Sequence, residues 1–558
     1  MLDRWIFLYG PPGSGKSELG RRLAAALDLP FYDLDALIEA RTGRTIPELF
    51  SQEGEAGFRR RESEALQSLL TSPRSSQPAG RGPAPSPATS AATGGGQEAG
   101  NAANLSSPAI LALGGGALLD PENRRLAESS GTVLSLSAPF ETLLSRVQAG
   151  EGAAARAAGR PLLSGDTRQR LESLLTQRAA HYASFPLQFV SDDRPADDNA
   201  WQLQLLLGAF RIRGMGKPYD VRITPAGLGG LGAALRQRGL QGPVALVTDS
   251  NLAQFHLPQA RASLEAAGYT VVPVVIPAGE AHKTAATLLE LWAAFLQGGL
   301  ERGSTVVALG GGVVGDLAGF AAAAYLRGVT WVAVPTSLLA MVDASLGGKT
   351  GADLPQGKNL IGAFHPPALV LADPQTLETL PEAELRNGLA EVVKHGVIAD
   401  PGLFELCAAG RAALDNRWDE LVRRAVAVKV KVIEADPYER GQRAALNLGH
   451  SLGHAIEAAS DFRIKHGEAV AMGMVQAAKL AEQQGEAAPG LADQISACLE
   501  AQGLPVRVPP DLDRQRLLAG MGVDKKRAAG KLHVVLPVRI GEVRWGIPLD
   551  DPALLIDV

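Results

Sequence analysis

The chain has 558 residues, 46% of them hydrophobic and 20% charged, with a formal net charge of −5. That length points to three or four domains, and the apolar content builds packed cores rather than a wholly disordered chain. The weakly acidic balance disfavours a dedicated binder of nucleic acid or anionic membranes, and two cysteines, Cys407 and Cys498, exclude a disulfide scaffold or a cysteine-rich zinc site. No uncharged stretch reads as a membrane span, and the first residues do not read as a signal peptide. A cytoplasmic enzyme with small-molecule substrates, and no nucleic-acid or membrane partner, is the expectation. The 54 basic residues divide into 41 Arg and 13 Lys, so a position that holds Lys is a candidate for a compact ammonium, with chance as the alternative.

At the N-terminus, Ile6–Tyr9 has the pattern of a buried strand and leads into Gly10-Pro-Pro-Gly13-Ser14-Gly15-Lys16-Ser17, then a helix. This is a phosphate-binding loop in its proper context: glycines turn backbone N–H groups toward phosphate oxygens, Lys16 reaches the β- and γ-phosphates, and Ser17 can ligate Mg²⁺. Asp33 and Asp35 alternate on what reads as an extended segment, so both carboxylates face one side. One suits water-mediated Mg²⁺ binding and the other suits orienting a hydroxyl; a pair of solvated loop acids is the plain alternative. Arg59, with Glu62 three residues on, reads either as a ligand group or as an ordinary helical ion pair. Gly114–Gly116 follows a strand-like 109–113 and reads as a tight turn or as a close approach of backbone to ligand. Between them, 71–108 is rich in Pro, Gly, Ser and Ala and predicts a disordered insertion.

Residues 1–190 resemble shikimate kinase. The resemblance rests on Gly10–Ser17, Asp33-x-Asp35, Phe58-Arg59, Gly114–Gly116, Gly159-Arg160-Pro161-Leu162-Leu163 and Arg178 before His181-Tyr182. It implies ATP binding by Gly13, Ser14, Gly15, Lys16, Ser17 and a lid residue Arg160, with Mg²⁺ at Ser17 and Asp33. Shikimate would be held by Asp35, Arg59, Gly115 or Gly116, and Arg178, whose guanidinium fork suits its carboxylate. Lys16, Asp35 and Arg160 would serve the phosphoryl transfer.

A polar linker is expected at 191–213. From Gly214 to about Pro374, strands near 244–248, 271–276, 305–309 and 329–334 alternate with helices, which predicts a parallel sheet. Gly310-Gly311-Gly312-Val313-Val-Gly315-Asp316 follows one such strand and fits a dinucleotide loop, a weak signal alone. Asp249 and Asn251, just after another strand, supply polar groups for ribose hydroxyls. Residues 375–558 are expected to be mainly helical. They hold His450 and His454, four apart on one helix face, and Glu391 on another helix; spacing alone makes these three joint Zn²⁺ ligands, or else satisfied histidines.

The segment from 214 onward resembles 3-dehydroquinate synthase. It carries Gly279-Glu280-x-x-Lys283, Gly310–Asp316, Arg327-Gly328, Pro335-Thr336, Asp343, Gly347-Gly-Lys349-Thr350, Gly357-Lys358-Asn359, Glu391 with Lys394, Asn447-x-x-His450-x-x-x-His454, His466-Gly-Glu468 and Asp524-Lys525-Lys526 in the family's order. The resemblance implies Glu391, His450 and His466 as ligands of Zn²⁺ or Co²⁺, with His454 moved to the substrate pocket. It implies NAD⁺ binding by Asp249, Asn251, Glu280, Lys283, Gly311, Gly312, Val313, Asp316, Thr336, Ser337, Asp343, Lys349 and Lys358. The substrate, 3-deoxy-arabino-heptulosonate 7-phosphate, would meet Arg327, Lys349, Asn359, Lys394, Lys429, Arg443, Asn447, His454 and a lysine of Lys525-Lys526. Lys349, Lys394 and His454 would serve the chemistry, His454 as a proton relay. Arg327 would reach a neighbouring subunit's site, which implies a homodimer. The fold class expected is a P-loop kinase domain fused to an α/β NAD-binding domain and a mainly α-helical metal- and substrate-binding domain. An NAD- and metal-dependent dehydrogenase or cyclitol synthase, behind a non-catalytic nucleotide-binding module, is the competing reading.

Overall fold

The computed structural model describes residues 4–71, 108–149, 166–522, 527–528 and 531–556. The chain divides into two compact units, Met1–Leu207 and Gly208–Val558. In the first, strands β1 (Trp5–Tyr9), β2 (Phe31–Asp33), β3 (Ile110–Ala112), β4 (Gly131–Ser137) and β5 (Leu187–Val190) form one parallel sheet in the order β2-β3-β1-β4-β5. Helices α1 (Lys16–Leu27), α2 (Leu34–Thr42), α3 (Ile46–Thr71, kinked at Gly54), α4 (Pro121–Ser130), α5 (Phe140–Ala149), α6 (Thr167–Ala183) and α7 (Ala196–Leu207) complete the unit. All five residues of β1 are buried, the mark of a central parallel strand covered on both faces. The chain leaves β1 toward one edge and returns to its other side as β4, so a crevice opens at the carboxyl end of β1, where the glycine loop lies.

Two expectations are corrected here. Asp33 and Asp35 do not share an extended strand: β2 ends at Asp33, whose carboxylate caps α2 by accepting from the Asp35 and Ala36 N–H groups at 3.1 and 3.4 Å. Nor is 191–213 a linker. Within it α7 packs on α1 in the first unit, and Ala209–Ile212 is a strand of the second. The expected disordered insertion, apart from its two ends, lies outside the described residues, as do Arg160, Asp524, Lys525 and Lys526.

In the second unit, β6 (Ala209–Ile212), β7 (Tyr219–Ile223), β8 (Gln241–Asp249), β9 (Val271–Ile276), β10 (Ser304–Gly310), β11 (Thr330–Pro335) and β14 (Leu369–Ala372) make a sheet in the order β6-β7-β14-β11-β10-β8-β9. All pairs are parallel except β6 with β7. Helices α8 (Leu231–Gln237), α9 (Leu257–Ala266), α10 (Ala285–Gln297) and α11 (Gly312–Ala324) connect the strands. The antiparallel hairpin β12 (Lys349–Leu354) and β13 (Gly357–Phe364) stands apart from that sheet. From β8 the chain steps to the edge as β9 and crosses back to β10, so the switch point lies between β8 and β10.

The rest is helical: α12 (Glu382–Ala399), α13 (Pro401–Ala408), α14 (Trp418–Ala435), α15 (His450–Ala459), α16 (His466–Gln483), α17 (Leu491–Ala501) and α18 (Arg514–Gly522). A three-stranded antiparallel sheet, β15 (Arg527–Ala528), β16 (Lys531–Arg539) and β17 (Glu542–Leu549), accompanies it. Helices α15 and α16 approach closely through glycine. Gly449 adopts a φ of 78, and a Cβ on Gly473 would lie 2.0 Å from the Gly449 carbonyl oxygen.

Candidate active sites

The loop after β1 turns back on itself because Gly13 and Gly15 take left-handed backbone, φ 82 and 85. The Lys16 ammonium donates to the Gly10 and Pro11 carbonyls at 2.8 and 2.9 Å, and α1 begins at Lys16. Loop N–H groups and a helix N-terminus thus converge as a phosphate cradle. The Ser17 hydroxyl donates to Asp33 Oδ2 at 2.5 Å, which brings the two expected Mg²⁺ groups together.

Beside it lies Gly114–Gly116, where a Cβ on Gly115 would come within 3.0 Å of the Gly10 carbonyl oxygen. A Cβ on Gly116 would meet Arg59 Nη2 at 2.5 Å, and one on Gly114 would meet Glu62 Oε1 at 2.2 Å and Asp35 Oδ1 at 3.4 Å. Arg178 and Tyr182, one turn apart on α6, both donate to the Gly115 carbonyl, at 3.0 and 2.7 Å. Asp35, Arg59, Gly115, Gly116 and Arg178 therefore gather around one tripeptide. Glu62 is the addition. Its side chain is 1% exposed, and Oε2 accepts from Arg59 Nη1 at 2.6 Å. Burial pushes its carboxyl up to about 7, against the pull of Arg59. Asp35 keeps access to solvent, yet the enclosing protein, and then the Asp33 carboxylate, push it up to about 6 while Lys16 opposes.

In the second unit, the Asp249 carboxylate at the end of β8 accepts from the N–H groups of Asn251 and Leu252 at 2.8 and 3.1 Å. Across the switch point, Gly310–Gly312, Gly315, Asp316, Pro335 and Lys349 line a pocket at the N-terminus of α11. Thr336 and Ser337 follow β11, and Val313 lies in the first turn of α11: Thr336 N–H donates to the Gly310 carbonyl at 3.0 Å, and a Cβ on Gly311 would lie 3.4 Å from Ser337 Oγ. Lys283, nearly buried, joins this rim to the hairpin through Asp316 Oδ2 at 2.5 Å and Asn359 Oδ1 at 2.6 Å. Glu280 and Lys358 approach to 3.7 Å.

Deeper in, Glu391 on α12 is fully buried, and the Lys394 ammonium pairs with its carboxylate. His450 Nε2 and His466 Nε2 face Glu391 Oε1 at 3.7 and 3.5 Å. The other ring nitrogens are already engaged: His450 Nδ1 with the Leu448 carbonyl at 3.1 Å, His466 Nδ1 with Glu457 Oε2 at 3.0 Å. Those bonds orient both Nε2 atoms toward Glu391 Oε1, and the three ligand atoms lie within 4.8 Å of one another. Two imidazoles and one carboxylate are a donor set that fits Zn²⁺ or Co²⁺. Spacing alone chose His454 in place of His466, and the geometry corrects it. His454 is exposed and groups with Glu457 and His466 instead.

Around this centre, Lys429 donates to the Asp343 backbone carbonyl at 2.7 Å and also to its carboxylate. Burial brings the Lys429 ammonium down to about 8 against that carboxylate. Lys349 pairs with Glu439, which also accepts from Asn447 Nδ2 at 3.2 Å. Glu439 was not singled out in the sequence; it holds a left-handed φ of 58. Buried Arg443 donates to the Pro437 carbonyl at 2.5 Å and lies against Gly347. Arg327 is exposed, with φ 70.

The sequence model of the shikimate kinase family matches residues 12–76 and 97–204, and those of the 3-dehydroquinate synthase N-terminal and C-terminal domains match 273–387 and 388–527. The 3-dehydroquinate synthase of Symbiobacterium thermophilum is 47% identical over 349 residues, covering 59% of this chain and 97% of that protein. The Synechocystis enzyme of the same name is 46% identical over 333 residues, 58% of this chain and 92% of its own. The chain belongs to the 3-dehydroquinate synthase family, with a shikimate kinase domain ahead of the synthase. Among solved structures, 2-deoxy-scyllo-inosose synthase complexed with carbaglucose-6-phosphate, NAD⁺ and Co²⁺ aligns at TM-score 0.58 and 25% identity, over 63% of this chain and 98% of that one. The 2-epi-5-epi-valiolone synthase of Streptomyces hygroscopicus, with NAD⁺ and Zn²⁺ bound, aligns at 0.56 and 29%, over 62% and 96%. The chain is thus a bifunctional enzyme that joins a shikimate kinase, a transferase, to a 3-dehydroquinate synthase, a lyase. Among the described residues no helix is long and apolar enough to cross a membrane.

Proposed function

We propose that the first unit phosphorylates shikimate with MgATP and that the second converts 3-deoxy-arabino-heptulosonate 7-phosphate to 3-dehydroquinate and phosphate, using NAD⁺ and Zn²⁺ or Co²⁺. The observation that carries the first half is the junction of two sites on adjoining loops: the Lys16–Ser17–Asp33 cradle and the Asp35–Arg59–Arg178 pocket on the triple glycine. Arg59 and Arg178 hold a carboxylate by charge, and Asp35 orients the hydroxyl that attacks and takes its proton. Lys16 would neutralise charge on the transferred group, and Ser17 and Asp33 would hold Mg²⁺, which supplies further charge neutralisation when bound.

The observation that carries the second half is the fully buried Glu391 beside two oriented histidines. When bound, NAD⁺ supplies reversible hydride removal and the metal supplies polarisation of hydroxyl oxygens. The dinucleotide would rest on Asp249, Glu280, Gly311, Gly312 and Asp316. Lys349, Asn359 and Arg443 are basic or amide groups suited to a phosphate, and Lys394, Lys429 and Asn447 line the side where the carbocycle would sit. His454, with solvent access, suits moving a proton rather than binding metal. The enzyme works as a homodimer in which Arg327 completes the partner's phosphate site, and it resides in the cytoplasm.

A cyclitol synthase is the second reading, favoured by the likeness to 2-deoxy-scyllo-inosose synthase; the curated relatives' higher identity favours the first. The test is crossed ablation on the full chain. Lys16→Ala should abolish shikimate-dependent ADP formation and spare phosphate release from the heptulosonate phosphate; His450→Ala should do the reverse. Phosphate release from a hexose 6-phosphate but not from the heptulosonate would overturn the second half.

A further inference from the structure

Glu457 lies on α15, seven residues after His450 and three after His454, so all three share one helix face. It is buried, 7% exposed, and each of its carboxylate oxygens is engaged. Oε2 meets His466 Nδ1 at 3.0 Å, and Oε1 lies 3.6 Å from the ammonium of Lys358 on hairpin strand β13. That ammonium is also 3.7 Å from Glu280 Oε1, at the dinucleotide side, and 4.4 Å from the centre of the Phe462 ring. Phe462 is 56% exposed, and it and Asp461 both take left-handed backbone, φ 59 and 52. A turn of that kind, ending in an exposed aromatic, has a reason if the ring holds a cation in place. Lys358 thus stands between a carboxylate of the metal side and a carboxylate of the dinucleotide side.

We infer that Glu457 is a positioning residue that fixes the tautomer and orientation of His466 and, through Lys358, couples metal affinity to dinucleotide affinity. The inference rests on the metal and NAD⁺ reading above. A carboxylate behind a ligating imidazole holds the proton on the far nitrogen, keeps Nε2 as the donor and raises its basicity, and losing it costs 10- to 100-fold in metal affinity. When the dinucleotide draws Glu280 and Lys358 into fixed positions, the Lys358 charge holds Glu457 in the pose that His466 needs. Coupling of this kind is reciprocal: each ligand tightens the other by the same factor.

The full chain, stripped of metal by dialysis against chelator, is titrated with Zn²⁺ against a chromophoric chelator, with and without saturating NAD⁺. Glu457→Gln, of equal size, is expected to weaken Zn²⁺ roughly 10- to 100-fold without NAD⁺, with an unchanged melting temperature of the metal-free protein. In the wild type NAD⁺ is expected to tighten Zn²⁺ at least about fivefold, and Lys358→Met is expected to abolish that enhancement. Wild-type Zn²⁺ affinity in Glu457→Gln, or an enhancement that is absent from the wild type or survives in Lys358→Met, overturns the inference. His450→Ala separates the two levels. If it too binds Zn²⁺ normally, the metal reading itself has failed; if it loses Zn²⁺ while Glu457→Gln does not, only the role of Glu457 has.

Discussion

Two carboxyls in the kinase pocket decide much of what that site does with pH. Asp35 is pushed up to about 6 and Glu62 to about 7, in both cases chiefly by enclosure in protein. A raised carboxyl has its ionised form disfavoured in the fold. Its contribution to stability is therefore full below the ordinary carboxylate range and is lost as pH rises through 6 and 7. Catalysis runs the other way, because only ionised Asp35 accepts a proton. Kinase turnover is expected to fall on the acid side with a midpoint near 6, and Asp35→Asn to lose at least about 100-fold in kcat while melting higher than wild type at pH 8 and no higher at pH 4; pH–rate profiles and melting curves check both. Glu62→Gln weakens the anchor of Arg59, so the shikimate KM is expected to rise about tenfold with kcat moved less, and an unchanged KM would make the pair merely structural. Residue identities were largely legible in the sequence, because the glycine loop and the Asp, Arg and His motifs declare their chemistry. Partnerships were less so. The Arg59–Glu62 ion pair was readable, but not that Glu62 is buried against Gly114; spacing alone put His454 where the resemblance put His466, and Glu439 carried no signal, since its site depends on a turn that brings it to Lys349 and Asn447.

At the scale of elements, the proposed metal site depends on how closely α15 and α16 meet. Gly449 precedes His450, and Gly473, two turns into α16, leaves 2.0 Å between its would-be Cβ and the Gly449 carbonyl oxygen. Gly473→Ala must move one helix against the other, and so shift His450 relative to His466. A destabilisation of about 1–3 kcal/mol and a loss of bound zinc after gel filtration are expected, measured by denaturant unfolding and metal analysis; full zinc content would show that the helices do not set the site. Strands β8, β9, β10 and β11 of the large sheet were readable as apolar runs, whereas β6, β7 and β14 were not. Nor was the β12–β13 hairpin. Gly351 and Gly362 face one another across it, and a Cβ on Gly362 would come within 2.1 Å of the Thr350 carbonyl oxygen; glycines placed for close backbone approach weaken the alternation that marks a strand. Asp35 was misread for a related reason: the strand ends at Asp33, whose short side chain caps the next helix, so Asp35 in the first turn of α2 looks, in sequence, like one more extended position.

At the scale of the molecule, the sequence distinguished two halves but set the border by polarity, at 190 and 214, whereas packing sets it between Leu207 and Gly208. The polar run before α7 is a loop of the first unit, with Ser191 buried and Arg146 bonded to it at 2.9 Å; composition cannot reveal that a polar turn is packed. The proposed dimer makes its own prediction. Arg327→Ala and His450→Ala are each expected to be inactive as synthases, yet unfolded and refolded together they should recover about a quarter of wild-type activity, because mixed dimers hold one intact composite site; no recovery would mean that Arg327 acts within its own subunit. The two activities also share no intermediate in direct succession, since dehydroquinate must be dehydrated and reduced before a kinase acting on shikimate can use it. The most direct measurement follows phosphate release from 3-deoxy-arabino-heptulosonate 7-phosphate on the full chain, with NAD⁺ and Zn²⁺, while absorbance at the NADH band is recorded in the same cuvette. Stoichiometric phosphate with no net NADH, lost in His450→Ala, is the expected result. NADH accumulating in step with substrate consumed, or no phosphate at all, would contradict a synthase that returns its hydride.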